Sequence, residues 1–263
     1  MLSIFGILNI TADSFSDGGK YLEPAAAIAH GKNLIADGAD VLDIGAASSN
    51  PDAAGVPPEV EIARLSCVLP ALKAFSISID SYAPEVQRWA LAQGVDYLND
   101  IQGFPDPVLY PALAASTARL VVMHSVQERG QATRVEVRPA DIMGRIEKFF
   151  DARVAALEKA GIVRDRLILD PGMGFFLSSD PETSFTVLRR LSDLKARYGL
   201  PLLVSVSRKS FLRKLTGKPA SEAGPASLAA ELAALQNGAD IIRTHAPGPL
   251  KDGISVLSAG NRL

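Results

Sequence analysis

The stretch NGADIIRTH, residues 237–245, reads as the end of a helix, a glycine turn, and a short buried strand that delivers polar side chains at its far end. Glycine directly after a helical run suits a C-cap, where a left-handed backbone costs it nothing. The β-branched pair behind it fits a strand covered on both faces. The same order recurs in DGADVLDIG (37–45), QGVDYLND (93–100) and AGIVRDRLILDPG (160–172).

Working outward, four more short apolar runs appear: SIFGILN (3–9), SISID (76–80), RLVVMH (119–124) and PLLVSVS (201–207). Between the eight runs lie segments with apolar residues at three- and four-residue spacing: 25–37, 58–74, 84–93, 107–116, 139–160, 181–198, 223–237 and 250–258. Several open at or beside a proline, as the first turn of a helix permits. Eight strand–helix units in 263 residues predict an α/β chain closed as a (β/α)₈ TIM barrel, with an open doubly wound sheet as the alternative. No Pro/Gly/Ser linker divides the chain, so residues 1–263 are expected to form one domain.

Bulk properties narrow the function. The chain is 48% hydrophobic and 21% charged with net charge -2, which gives no electrostatic footprint for nucleic acid. Any bound anion needs a local site. The single cysteine, Cys67, excludes an internal disulfide and a multi-cysteine zinc site. No signal peptide and no apolar run of about 18 residues is recognised, so no membrane association is expected and the cytoplasm is the expected location.

In such barrels the site is built at the carboxyl ends of the strands. That rim reads Asn9, then Asp43 with Ser48, Ser49 and Asn50, then Asp80, Asn99 and Asp100, Met123 and His124, Asp170, Ser207-Arg208-Lys209-Ser210, and Arg243 with His245. A capping role would explain one such residue but not one at nearly every strand. Asp80, Asn99 and Asp170 offer carboxylate and amide edges suited to a flat heterocycle with several N–H donors. Lys209, Arg243 and His245, with the Ser48 and Ser49 hydroxyls, suit phosphate. His124 reads as a hydrogen-bonded structural histidine in preference to an acid–base group, and His30 as a surface residue. The histidines lack metal spacing, so a metal would be Mg²⁺ held chiefly by substrate phosphates.

The motifs FGILNITADSFSDGG (5–19), ISIDSYAPEV (77–86), YLNDIQGF (97–104), LILDPGMGF (167–175), SVSRKSF (205–211) and RTH (243–245) together resemble the dihydropteroate synthase family. The resemblance implies condensation of a hydroxymethyl-dihydropterin pyrophosphate with p-aminobenzoate in folate biosynthesis. It implies pterin contacts at Asp80, Asn99, Asp170 and Lys209 with Met123 beneath the ring, and pyrophosphate contacts at Asn9, Arg243 and His245. Asn9 is also the implied Mg²⁺ ligand. Ser210 and Phe15 map to the p-aminobenzoate side, loop 11–19 to a mobile lid, and the assembly to a homodimer. Asp80, Asp170, Lys209, Arg243 and His245 are the implied catalytic set. They would act through a dissociative reaction in which the carboxylates stabilise a pterin-conjugated cation.

Two loops depart from the usual family sequence. Asn50 stands where an arginine is common, and Gly174-Phe175-Phe176-Leu177 replaces Gly-Phe-Gly-Lys. With NDIQGFPD (99–106) and MHSVQ (123–127), these resemble the mobile sulfonamide-resistant members of the family. An added aromatic beside the p-aminobenzoate subsite could admit the flat carboxylate and exclude a bulkier sulfonyl. Phe176 is the expected gate there, with Phe175 more given to packing. The alternative function is a methyltetrahydrofolate-binding methyltransferase of the same barrel type, which would share the Asp/Asn/Asp pattern but has no use for a pyrophosphate site.

Overall fold

Side-chain alternation along eight short parallel strands sorts the interior into two compartments. The structure, a computed structural model, describes residues 2–11, 24–48, 54–127, 130, 132 and 134–261. The strands are β1 (Ser3–Asn9), β2 (Val41–Gly45), β3 (Ser76–Asp80), β4 (Tyr97–Asp100), β5 (Arg119–Met123), β6 (Leu167–Asp170), β7 (Leu203–Val204) and β8 (Ile241–Thr244). They run in the order β6-β5-β4-β3-β2-β1-β8-β7. A parallel bridge between Leu169 and Leu202 and the bond from Leu169 N–H to the Pro201 carbonyl (2.9 Å) join the two ends of this order. The result is the expected (β/α)₈ barrel.

Outward-facing residues such as Leu42, Ile44, Leu98, Val122, Leu169 and Ile242 belong to the large core beneath the helices. Inward-facing Phe5, Val41, Val121, Ile168, Leu203 and Ile241 form a separate cluster with Tyr97 packed on it. Phe5 and Tyr97 meet edge to face at 5.0 Å, the arrangement their ring quadrupoles favour. This cluster fills the barrel and gives the upper part a solid floor.

The helices are α1 (Pro24–Ala36), α2 (Pro58–Leu72), α3 (Pro84–Ala92), α4 (Tyr110–Ala115), α5 (Pro139–Lys159), α6 (Pro181–Arg189), α7 (Leu191–Tyr198), α8 (Ser210–Thr216), α9 (Gly224–Gln236) and α10 (Pro247–Asn261). Three differ from the sequence-based expectation. The segment 181–198 is two helices broken at Arg190, because apolar spacing continues through a bend that redirects the chain. Helix α10 starts at Pro247, earlier than the expected residue 250, since its first turn is mostly proline and glycine. Helix α8 is unexpected, about two turns closed by Gly217 in the left-handed region (φ 70°).

At the amino ends of the strands, the recurring Gly-Ala/Val-Asp carries a second role. The Asp40, Asp96 and Asp240 carboxylates accept the backbone N–H of Ile4, Ile77 and Leu202 at 2.7, 2.9 and 2.8 Å. Their own N–H groups donate back to the same three residues' carbonyls. Each aspartate thus clamps the foot of the neighbouring strand. Asp240→Ala leaves the N–H of fully buried Leu202 without an acceptor and removes the Lys195 ion pair. Chemical denaturation should show a loss of about 1–3 kcal/mol, with kcat/KM unchanged because the clamp lies at the far end from the cavity.

Candidate functional site

The period of two that fills the floor also builds the site. Two residues beyond Val41, Tyr97, Val121, Ile168, Leu203 and Ile241, the same inward direction is taken by Asp43, Asn99, Met123, Asp170, Ser205 and Arg243. Ser78 and Asp80 on β3, and Ile7 and Asn9 on β1, follow the same step. One layer of apolar side chains is therefore roofed by a layer of polar ones.

Arg243 ties that layer together. Its Nε donates to Asp43 (2.5 Å) and its Nη2 to Asp80 (2.6 Å), joining β8 to β2 and β3. The Asp43 side chain is fully buried and Arg243 is 12% exposed. Burial works against the arginine's charge, but Asp43 and Asp80 outweigh it and hold the group protonated. Burial raises Asp80 from the ordinary carboxylate value while Arg243 pulls it back. Asp170 is pushed up to about 6 by burial, opposed by the hydrogen bond from Gly172 N–H (2.8 Å). Burial and then Arg243 bring the Lys209 ammonium down to about 8.

These groups line a small inner recess with Asn99, Ile101, Met123, Met173, Phe176 and Ser205. Asn99 spends its amide N–H on Asp43 at a long 3.4 Å, leaving its Oδ1 buried without a partner, as is the Ser205 hydroxyl. Buried polar atoms normally find partners, so the recess is chemically set for a ligand with N–H and polar edges. It opens into a cavity of about 370 Å³ lined by Asn9, Ser48, Arg208, Ser210, Arg213 and His245 together with Phe175 and Phe176.

Most sequence-predicted residues are thus brought together: Asn9, Ser48, Asp80, Asn99, Met123, Asp170, Phe175, Phe176, Lys209, Ser210, Arg243 and His245 all line one of the two spaces. Phe15, Ser49 and Asn50, and loop 11–19 beyond Thr11, lie outside the described residues. His124 is buried, with Nδ1 3.1 Å from the Pro171 carbonyl and its ring edge-on to Phe149, and burial takes it down to about 4. His30 is a correction: α1 turns it inward, half-buried, near Arg208 and Asp37. The two phenylalanines also differ from expectation. Phe176 is the buried one, 5% exposed among Ile101, Met123 and Ala132, with the Lys209 ammonium 4.8 Å over its ring. Phe175 is half-buried, with the Arg134 guanidinium 5.5 Å from its ring centre. The reason is the tight turn Gly174–Phe176, in which the Phe176 carbonyl accepts Val126 N–H (2.9 Å) and the second ring is carried inward.

Sequence reasoning missed Ser205, Met173 and Arg213 as lining residues. Ser205 was available from the period of two along PLLVSVS. Arg213 required the overlooked helix α8, which places it one turn beyond Lys209 and Ser210. Arg208 is held in the left-handed region (φ 57°), its N–H bonded to Ser227 Oγ (2.9 Å), and no sequence pattern announces that turn.

A well with a carboxylate and amide floor and a cationic mouth, at the carboxyl ends of a (β/α)₈ barrel, is the site of a pterin-binding enzyme. The chain belongs to that family: the model of the pterin binding enzymes matches residues 5–245. Over 260 residues it is 62% identical to the dihydropteroate synthase type-2 of Escherichia coli, covering 98% of this chain and 96% of that protein. It is 56% identical to the type-1 enzyme of the same organism over 97% of the chain and 92% of the relative. The structure of Xanthomonas albilineans dihydropteroate synthase with 4-aminobenzoic acid superposes with a TM-score of 0.88 at 34% identity, covering 100% of this chain and 94% of that one. Within the family the chain is therefore one of the dihydropteroate synthases, transferases of folate biosynthesis.

Replacing Arg243 by leucine tests its role as the tie. It leaves Asp43 and Asp80 buried without their cation, at an expected cost of about 3–5 kcal/mol at pH 8. Burial raises Asp80 and Arg243 is what pulls it back, so in the variant the penalty is full at high pH and shrinks as pH falls through the raised Asp80 value. Urea denaturation of both proteins at pH 8 and pH 5 should show the gap narrowing at the lower pH.

Proposed function

We propose that the well joins a 6-hydroxymethyl-7,8-dihydropterin pyrophosphate to p-aminobenzoate, giving 7,8-dihydropteroate and pyrophosphate, and that Asp80, Asp170, Lys209, Arg243 and His245 carry the chemistry. The observation that supports this is the sorting of charge within one well. Asp80, Asn99 and Asp170 offer acceptors over a solid floor, and Arg208, Arg213 and His245 rim the larger cavity above. A pterin's amino-amidine edge can give parallel hydrogen bonds to a carboxylate, the strong charge-assisted kind. Met123 and Phe176 supply apolar faces beside it. The diphosphate then extends towards Asn9, Arg243, His245 and Ser48, whose preorganised dipoles and charges favour it more as negative charge builds on leaving.

In the reaction the carbon–oxygen bond to pyrophosphate breaks and the leaving group takes the electron pair. The carbon left behind is a cation conjugated to the pterin, which the carboxylates of Asp80 and Asp170 stabilise from the floor. The arylamine nitrogen forms the new bond and loses a proton. Ser210, Phe175 and the two residues outside the described structure, Phe15 and Ser49, are proposed for the p-aminobenzoate side. Asn9 gives one neutral oxygen at the end of β1, and no group of three or more His, Cys, Asp or Glu able to hold a metal occurs among the described residues. That donor set suits Mg²⁺, which keeps several waters and binds substrate phosphates, where it would neutralise diphosphate charge. The proposal extends to a single-domain homodimer working in the cytoplasm. No helix among the described residues is long and apolar enough to cross a membrane.

We also infer that sulfonamides are poorly accepted. Phe175 and Phe176 together form one wall where the usual family loop carries a single aromatic, and the wall is stiffened by Lys209 stacking on Phe176. A planar carboxylate can slide along such a wall, whereas a tetrahedral sulfonyl meets it. A pyrophosphate-release assay with both substrates tests the reaction, and absence of turnover would sink it. In the same assay, Phe176→Ala should lower the sulfonamide inhibition constant at least tenfold, about 1.4 kcal/mol. An unchanged constant would remove Phe176 from the discrimination while leaving the reaction assignment intact.

A further inference from the structure

One buried acid lies behind the cationic mouth and has no part in the chemistry above. Glu231 sits on α9, 2% exposed, with the hydroxyls of Thr244 and Ser207 close enough to favour its ionised form against burial. Its Oε1 is buried with no partner. Ser207 Oγ in turn lies 3.0 Å from His245 Nδ1 and accepts the His245 backbone N–H at 3.3 Å. Glu231, Ser207 and His245 therefore form a chain from the outer helix layer to the cavity. With Nδ1 engaged by Ser207, Nε2 is the ring nitrogen left for the cavity that His245 lines.

The Ser207 hydroxyl has one proton and can send it only one way at a time. If Glu231 is ionised, Ser207 donates to the carboxylate and accepts from Nδ1–H, so Nε2 faces the cavity as a bare lone pair. If Glu231 is protonated, the acid donates to Ser207, Ser207 donates to Nδ1, and Nε2 carries the proton. Both arrangements keep the Ser207 hydroxyl, His245 Nδ1 and the His245 backbone N–H paired, while Glu231 Oε1 is without a partner in either. They differ in what the cavity meets: an acceptor that repels phosphate oxygens, or a donor that binds them.

We propose that Glu231, acting through Ser207, sets the tautomer of His245, and that the diphosphate is gripped well only while Glu231 holds its proton. This rests on assigning His245 to the diphosphate. Two observations favour the protonated form near neutrality. A buried carboxylate oxygen without a partner is costly, and a buried carbonyl oxygen much less so. Burial, ahead of the two hydroxyl bonds that oppose it, raises Glu231 to about 7. His245 itself is kept neutral, by burial first and then by Arg208, Arg243, Lys209 and His30 around it. A neutral ring has to choose a tautomer, and Glu231 is the group positioned to choose it. Glu231 touches no reacting atom; it is a positioning residue.

Glu231→Gln supplies an amide N–H that can donate to Ser207 at every pH and so mimics the protonated acid. In the pyrophosphate-release assay, the KM for the pterin pyrophosphate should match wild type at pH 6. Above pH 7 the wild-type KM should climb relative to the variant, approaching tenfold per pH unit, while the KM for p-aminobenzoate moves equally in both. Taking the ratio of the two proteins cancels the titration of the substrate and of Asp80, Asp170 and Lys209. Glu231→Ala, which cannot donate, should raise the KM at pH 6 and be unlike Gln. A constant wild-type-to-Gln ratio from pH 6 to pH 9 would overturn the proposal. Independently of turnover, ¹⁵N NMR of histidine-labelled protein at pH 6, with His245 assigned by its absence in His245→Asn, should show the Nε2–H tautomer. The Nδ1–H tautomer at that pH would also overturn it. Because the NMR arm needs no reaction, it separates failure of this proposal from failure of the assigned activity.

Discussion

The guanidinium of Arg243 is the constraint around which the upper barrel is arranged. Two carboxylates from adjacent strands, Asp43 and Asp80, converge within hydrogen-bond reach of it, and neither would tolerate that proximity or burial alone. Remove the cation and the layer above the apolar floor becomes a set of repelling, desolvated acids. With it in place, Asp80 and Asp170 can be held buried, with their affinity for protons raised, in a recess whose other walls are Met123, Met173 and Phe176. The ion pair thus solves a folding problem and leaves the carboxylates' remaining lone pairs directed at whatever enters.

Much of this was legible in the chain because it follows from periodicity. Short Val/Ile/Leu runs, glycine C-caps and eight repeats fix a barrel. The rule that chemistry collects at strand carboxyl ends then picks out Asn9, Asp80, Asn99, Asp170 and Arg243 in turn. Legibility fails where a role depends on geometry between distant segments. The aspartate after each capping glycine reads as a turn residue, and only the folded barrel reveals that Asp40, Asp96 and Asp240 clamp neighbouring strands. Phe175 and Phe176 are adjacent and chemically identical, so which of the two is the more deeply buried depends on one tight turn. Glu231 sits in a helix whose apolar residues surround it on all sides, and nothing in ASLAAELAAL (226–235) says that its acid lies behind Ser207, which touches His245.

Close approach of backbone segments is the third ingredient. Gly172 adopts φ 74°, and a Cβ there would collide with the His124 carbonyl oxygen. The loops after β5 and β6 can therefore lie against each other, an arrangement extended by the His124 N–H to Asp170 carbonyl bond (2.8 Å). That contact seats His124 as a structural post and aims the Asp170 side chain into the recess. Asp170 is thus aimed by backbone as much as by its own strand.

The filled interior beneath the site has a consequence in time as well as space. Phe5, Val41, Val121, Ile168, Leu203 and Ile241 pack together inside the barrel, so among the described residues the well is closed from below. On the proposed assignment, the partner that occupies the recess stands between the floor and everything that follows. The heterocycle must arrive before the arylamine, and the joined product must leave whole before another turn begins.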